Sequence, residues 1–591
     1  MKTKICSLKI IKDDLEKRNP EILDSRDFFC KFAVLPKNDK TMRKCILFAL
    51  AALSAVFVSA FELRQPMDLP LELSANFGEL RPNHFHSGLD MKTQQRVGQP
   101  VYSVYDGYVS RISVSATGYG NCLYVNHPEI GLTSVYGHLY CFEPEMDSLL
   151  KERQYAEQRF DVDFFLEPDA CPVKKGDRIA TSGNTGSSGG PHLHFEIRDM
   201  KSEIVMDAQR FYHIKDTTSP RFHRIFITPV PGEGVVAGGA MTKDYSMEQL
   251  KTPVKAYGRI GIGVKANEYM TGSANVYGVN SLKMEVDGKT KFLYNIEQFS
   301  FDSTRYINSF IDYELWRKGK GMVMKTYLSD NPCMEYIREH TDGGYLLIDE
   351  NRDYNVKLTI TDYRNNVSTF NFTIRGDSTV IPIVSAYNGG RYFMWNYSNS
   401  IIEDDFYFKL PKGSLYNTLY FKYKSKVDST ACSNIHQVHY SYVPLQKYAD
   451  IKIKLTNDTL VNKNQYYIGY SIDGRYYSYS EGSYDNGWMV GTTRALGFYR
   501  VLTDQTKPTL KYLGVKTNTI KFSASDGESE LDRFEGYVDG KWAPFYYDAK
   551  SHTITYTFDK KRVESGKKHS VSLTVYDHCG NASTLKISVQ W

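Results

Sequence analysis

Apolar and polar residues alternate over Tyr354-Asn355-Val356-Lys357-Leu358-Thr359-Ile360-Thr361, and the pattern returns over His569-Ser570-Val571-Ser572-Leu573-Thr574-Val575. A period of two belongs to a strand with one face buried. Each run leads to an aspartate, Asp362 or Asp577, with an asparagine four residues on, Asn366 or Asn581. A second alternating run follows each time, Thr369-Phe370-Asn371-Phe372 and Thr584-Leu585-Lys586-Ile587. Strand, Asp-containing tight turn and strand predict the closing hairpin of an immunoglobulin-like sandwich. Pro220 and Pro508 lie near the starts of the two repeats, which end near residues 376 and 591. The stretch between them is Tyr-rich and strand-like but lacks that ending. Three β-sandwich modules are expected, over 216–376, 377–505 and 506–591.

Upstream, residues 61–215 read as a separate folded unit. Strand-like runs such as Val101-Tyr102-Ser103-Val104-Tyr105, Leu123-Tyr124-Val125 and Ser134-Val135-Tyr136 are broken by Asp106-Gly107, Gly118-Tyr119-Gly120-Asn121 and Pro128. One segment departs from the strand pattern. Between Glu145 and Phe160, Met146, Leu149, Leu150, Arg153, Ala156 and Phe160 recur at helical spacing, which predicts a helical insertion between two strands. A hairpin-type turn, Val173-Lys174-Lys175-Gly176-Asp177, and a glycine-rich loop from Ser182 to Gly190 then lead into Pro191-His192-Leu193-His194-Phe195. The fold class is therefore mainly β.

At 591 residues the chain exceeds one core, and its formal charge of +5 without a basic run excludes nucleic acid as an implied partner. Met42-Arg43-Lys44, the apolar run Ile46 to Val58 and the small residues Ser59-Ala60 match a cleaved signal peptide over 42–60. The apolar run is shorter than the roughly 20 residues of a spanning helix, so no stable membrane span is expected after cleavage. Residues 1–41 precede the signal and read as a non-native upstream extension. The mature chain is expected to be exported, periplasmic or extracellular, and associated with the cell envelope. Six cysteines follow residue 60 and none forms a Cys-x-x-Cys, which argues against a cysteine zinc site. Cys141 and Cys171 bracket the helical insertion and are the best candidates for a disulfide.

The candidate chemistry lies in two short motifs. In an extended strand His192 and His194 project to the same side, roughly 6.5 Å apart. That spacing suits one metal ligand and one neighbour that reaches the reacting water. His86 and Asp90, in His86-Ser87-Gly88-Leu89-Asp90, supply an imidazole and a hard carboxylate. Three protein ligands with an open fourth position make a catalytic zinc site, which implies a zinc hydrolase. Strand geometry alone does not decide which histidine of the pair is the ligand. His127, His213, His223, His340, His552, His569 and His578 read as surface or core residues. His436 and His439 sit in Tyr-rich, strand-like surroundings without an acid to complete a site.

These motifs resemble the lysostaphin-type (LytM-like) zinc endopeptidases, which cut peptide bonds in bacterial cell-wall peptidoglycan. The family's His-x-x-x-Asp stands at His86 to Asp90. Its aromatic–His–Leu signature matches Tyr136-Gly137-His138-Leu139, and its His-x-His stands at His192 to His194 behind Thr185-Gly186-Ser187-Ser188-Gly189-Gly190-Pro191. Its Asp-Gly and Val-Lys-x-Gly turns match Asp106-Gly107 and Val173-Lys174-Lys175-Gly176. The resemblance covers residues 84–199 and implies an antiparallel β catalytic domain. It implies zinc held by His86, Asp90 and His194, with His138 and His192 as the acid–base pair. By the same spacing His84 becomes a flank or substrate contact, and Arg81 a group that touches substrate or the developing oxyanion. The insertion between Leu139 and Val173 departs from the simplest members and should form a groove wall or lid. The implied substrate is peptidoglycan. Two other readings use the same fold: a non-catalytic scaffold that regulates other wall hydrolases, and a protease of glycine-rich exported proteins.

Overall fold

A computed structural model describes residues 62–383 and 389–591. The expected extension at 1–41 and signal peptide at 42–60 lie outside the described residues. The protein is mainly β, with several β-sheet modules following the first domain.

The first domain is built on β1 (Leu73–Ala75), β2 (Leu89–Lys92), β3 (Gly107–Val114), β4 (Asn121–His127), β5 (Leu132–Phe142), β6 (Arg178–Ser182), β7 (His192–Asp199) and β8 (Val205–Met206). The main sheet runs β1-β2-β7-β5-β4-β3, antiparallel throughout. In β7 the pleat separates two buried faces. Leu193, Phe195 and Ile197 are fully buried in the apolar core. His194, Glu196 and Arg198, on the other face, are buried too. Polar groups kept from water must bond to one another or to a ligand, and that face carries the candidate site.

The expected insertion is a helix, α1 (Pro144–Glu157). Pro144 sits at its start, where a missing N–H costs nothing. Met146, Leu150 and Gln154, four residues apart, are its buried stripe. It ends before Phe160 because Gln158 turns left-handed, at φ 50°.

The expected disulfide is absent: Cys141 and Cys171 are both free thiols. Antiparallel pairing closes the base of the insertion instead. Cys141 lies opposite Thr181 across β5 and β6, its Sγ 3.1 Å from the Thr181 hydroxyl. Cys171 is buried in the core, just before the Pro172–Val173 strand that pairs with β3.

One hydrophobic core runs from Leu63 to Ile374, through the first domain and the module after it. That module holds β9 (Val254–Asn267), β10 (Gln298–Phe299), β11 (Asp353–Thr361) and β12 (Val367–Gly376). β10 pairs with β8, and Phe85 packs on Phe299 and Tyr336 at 5.8 and 5.0 Å between ring centroids. Two five-stranded sheets enclose a second core around Phe406, Phe408 and Tyr499. Two four-stranded sheets enclose a third around Phe522 and Leu573 and include the closing pair β13 (Lys568–Asp577) and β14 (Ala582–Gln590).

The sequence repeat is a repeat of bonds. Asp362 Oδ1 accepts from the Asn366 backbone N–H at 2.9 Å, and Oδ2 from its side-chain amide at 2.8 Å. The corresponding Asp577–Asn581 distances are 2.8 and 2.9 Å. An aspartate that binds the backbone of its own turn fixes the hairpin without help from the core.

His436 and His439 belong to the second core. His436 stacks on Phe406 at 4.4 Å and meets the Tyr423 hydroxyl at 2.9 Å. His439 stacks on Phe421 at 4.7 Å and accepts from the Lys422 N–H. Burial pushes both imidazoles down to about 4. The unfolded chain takes up these protons near pH ~6.5, so the folded form keeps its full advantage above that pH and loses it as pH falls towards 4. Each shift is worth about 3 kcal/mol. Calorimetry of the full chain should show the transition of this core falling between pH 6.5 and 4, and His436→Phe should flatten the fall. An unchanged slope in that variant contradicts the assignment.

Candidate active site

The register between β2 and β7 brings the two expected motifs together. His194 lies directly opposite Asp90, with Leu193 opposite Met91 and Phe195 opposite Leu89. His86, four residues before Asp90, completes a buried group of three. His86 Nε2 lies 3.0 Å from Asp90 Oδ1, His194 Nδ1 lies 2.9 Å from the same oxygen, and the two ring nitrogens are 3.2 Å apart.

The partners of the remaining ring nitrogens decide what this convergence means. His86 Nδ1 donates to the Asn76 carbonyl at 2.7 Å, which leaves Nε2 as a lone pair. His194 Nε2 donates to Glu196 Oε1 at 2.8 Å, which leaves Nδ1 as a lone pair. Two lone pairs and a carboxylate oxygen therefore face one another. Ligands ~2.0–2.1 Å from a tetrahedral zinc stand about 3.3 Å apart, close to the spacing seen, so these residues fit such an ion.

The charge states describe the metal-free site, in which histidine protons stand where a cation would. Burial opposes ionisation of Asp90, but the charge of His86 and the bonds from His192, His194 and His86 outweigh it and hold the carboxyl well below its usual range. Burial also disfavours the charged form of His194, yet its bonds to Asp90 and Glu196 push it up to about 9. A cation bound between Asp90 Oδ1 and His194 would displace the Nδ1 proton and restore the lone pair there.

His138 and His192 stand beside this group, their rings 4.7 Å apart. His138 reaches it through a β-bulge. Gly137 and His138 oppose one residue of β4, and His138 adopts φ 58° with its N–H on the Tyr119 carbonyl. A bulge at this point re-aims the side chain. His138 Nδ1 donates to the Thr185 carbonyl and His192 Nδ1 to the Gly190 carbonyl, each at 2.8 Å. With those tautomers neither Nε2 carries a hydrogen. His192 Nε2 lies 3.4 Å from Asp90 Oδ1. Burial, then the neighbouring His194 and His192, push His138 down to about 3.

Two flanking expectations resolve differently. Arg81 donates from Nη2 to Asp90 Oδ2 at 2.8 Å. It clamps Asp90, its guanidinium carried there by the short hairpin that pairs Leu80–Arg81 with His84–Phe85. His84 is exposed and bonded to the Pro82 carbonyl, away from the converging atoms.

Glu196 was not foreseen. It is fully buried and accepts from Ser87 Oγ at 2.5 Å, the Tyr119 hydroxyl at 2.6 Å and Arg198 Nε at 2.7 Å. Arg198 and His194 hold it ionised against burial. The alternation that pairs His192 with His194 reaches Glu196 two residues on, and that was the available signal.

The sequence profile of peptidase family M23 matches residues 169–206, which include β7 and the loop before it. This domain belongs to peptidase family M23. An uncharacterized metalloprotease of Haemophilus influenzae is 38% identical over 120 residues, which cover 20% of this chain and 19% of that protein. The peptidoglycan DD-endopeptidase ShyB of Vibrio cholerae is 35% identical over 19% of this chain and 20% of its own length. The chain thus spans about a fifth of the length of these relatives. A zinc-containing peptidase from Vibrio cholerae aligns with 23% of this chain and 36% of its own at 28% identity and a TM-score of 0.17. A Zu5-like domain profile matches residues 390–504, the module around the second core.

The C-terminal module touches the glycine-rich loop and the insertion. Lys550 Nζ donates to the Asn184 carbonyl in the glycine-rich loop. Tyr546 packs on Phe160 and Trp542 on Tyr155 of α1, at 5.0 and 5.5 Å.

Within that loop Gly183 and Gly186 both leave no room for a Cβ, and Gly186 is also left-handed. Its φ is +68°, and a Cβ there would lie 2.3 Å from the Gly120 nitrogen. Gly189 has open space around it. Gly186→Ala should displace the adjacent Thr185 carbonyl that orients His138 and lower peptide hydrolysis by ~10-fold or more, since misplacement of about 1 Å can cost up to 10²-fold. Gly189→Ala should be near neutral. Equal rates for both variants at full metal content contradict this role for the loop.

Proposed function

We propose that His86, Asp90 and His194 hold one zinc ion and that the protein is an exported endopeptidase that cuts peptide bonds in peptidoglycan. The observation that carries this reading is the convergence of two imidazole lone pairs and one carboxylate oxygen beside two further imidazoles with bare Nε2 atoms. Zinc held there supplies Lewis acidity for the scissile carbonyl and for water at neutral pH.

The protein's own groups do the rest. Arg81 occupies Asp90 Oδ2 and leaves Oδ1 for the centre. The Asn76 carbonyl and Glu196 fix the tautomers of His86 and His194, the usual outer support of a metal-bound imidazole. His192 Nε2 or His138 Nε2 accepts the proton of the attacking water and returns one to the leaving amine. The carbonyls of Gly190 and Thr185 accept the Nδ1 proton of each ring, which makes Nε2 the nitrogen available to the substrate side. ShyB is a peptidoglycan DD-endopeptidase, which supports the substrate class. The leader-like segment at 42–60 supports export, and among the described residues no helix is long and apolar enough to cross a membrane.

His194→Ala and Asp90→Ala should each lose zinc by elemental analysis. His192→Ala and His138→Ala should keep it but lose ~10²–10⁴-fold in hydrolysis, measured as new amino termini released from isolated wall sacculi at neutral pH. If wild-type protein with stoichiometric zinc cleaves neither sacculi nor glycine-rich peptides, the enzyme reading fails and a scaffold role replaces it. If His192→Ala loses zinc while His194→Ala keeps it, the division of the His-x-His pair is reversed.

A further inference from the structure

A second set of acids lies away from the M23 site. Asp216 follows the first domain, Glu268 follows β9, and Asp362 follows β11. One carboxylate oxygen of each lies within 4.8 Å of the others. All three are buried, with residue exposures of 7%, 0% and 1% in that order. We propose that Asp216, Glu268 and Asp362 bind a hard divalent cation of the calcium class and that it anchors the first β module to the catalytic domain.

The bonding of the three carboxylates points to a ligand. Asp216 Oδ1 accepts from Thr218 N, Thr271 N and Thr271 Oγ1 at 2.9–3.0 Å, but Oδ2 is buried with no partner. Glu268 Oε2 accepts from Asn76 Nδ2 at 3.1 Å, but Oε1 is buried with no partner. Asp362 is held in place by Asn366 and the Arg364 N–H. The charges acting on Glu268 are Asp362, Asp216 and Asp207, all acidic. Buried carboxylates this close need a compensating positive charge or a proton.

An all-oxygen set selects calcium-like ions over zinc. Two oxygens on one calcium ion at ~2.3–2.6 Å stand no more than about 5 Å apart, and one oxygen of each of the three carboxylates lies within that limit. Asn76 links the two sites. Its side chain bonds Glu268 and both backbone groups of Gly278, and its carbonyl receives the Nδ1 proton of His86.

The C-terminal repeat offers a contrast. Asp216-Thr217-Thr218-Ser219-Pro220 recurs as Asp504-Gln505-Thr506-Lys507-Pro508, and Ser368 and Ser583 bond the carbonyls of Pro220 and Pro508 at the same 2.6 Å. Asp504, Asp526 and Asp577 also converge there. In that cluster, however, Ser529 donates through N and Oγ to Asp504 Oδ2, the counterpart of the oxygen left bare on Asp216. The unmet demand is therefore at the first junction.

The test uses full-length protein stripped of metal, reloaded with one equivalent of zinc and titrated with calcium chloride. Bound calcium is counted by elemental analysis after desalting and by calorimetry, and thermal unfolding is followed in parallel. Wild type should bind calcium and melt at a higher temperature with it. Glu268→Gln and Asp216→Asn should each bind one equivalent fewer, with His194→Ala unchanged in calcium. If Glu268→Gln does not fold, Asp216→Asn alone carries the comparison. No calcium bound by wild type at millimolar concentration, or equal calcium in wild type and variants, overturns the proposal and leaves a proton on Glu268 as the compensating charge.

Discussion

The candidate site depends on one register, the pairing of β7 with β2. It sets His194 across from Asp90, and the same pairing sends Leu193, Phe195, Leu89 and Met91 to the apolar interior. A slip by one residue would turn the histidines into the core and the core residues into the site. Burying three large apolar side chains of β7 contributes several kcal/mol, at about 1.5–3 kcal/mol each. The metal geometry is thus enforced by packing that has no chemistry of its own. A loop could not hold two nitrogens and an oxygen this close without collapse, since each prefers water to the others.

The opposite face of β7 shows how that constraint is met. His194, Glu196 and Arg198 alternate along it, all buried, and each satisfies the next: Glu196 takes the Nε2 proton of His194 and two donors from Arg198. Ser87 and Tyr119 add donors from two other strands or turns. Glu196 therefore orients His194 and anchors the guanidinium that keeps Glu196 ionised. A neutral residue in its place would leave Arg198 buried and uncompensated, a costly arrangement.

Much of this was legible in the sequence because the chemistry sits on regular strands. His86, Asp90, His138, His192 and His194 meet in space as their motifs imply, and the helix α1 follows from its own periodicity. What was not legible required knowledge of neighbours far along the chain. Strand alternation put His192 and His194 on one side but could not say which faces Glu196 and which the Gly190 carbonyl; those partners set the two tautomers. Arg81 has no periodicity, so its place on Asp90 comes from the turn that carries it. The two cysteines bracket the insertion in sequence, yet one faces solvent beside Thr181 and the other the core. Closeness along a chain is a poor guide to the geometry a disulfide demands.

The modules differ in how firmly they join the catalytic domain. The first shares its core: Phe77, Phe85, Phe299 and Tyr336 interleave, and β8 pairs with β10 across the boundary. Separating these elements would expose buried aromatic surface, which is expensive. The C-terminal module meets the insertion and the glycine-rich loop through half-buried rings and an exposed lysine bound to a carbonyl. An exposed hydrogen bond of this kind is readily exchanged for water. The two contacts lie on opposite sides of the energetic scale, although both border the same site. Any rearrangement that changes access to His138 and the glycine-rich loop therefore costs least at the C-terminal contact.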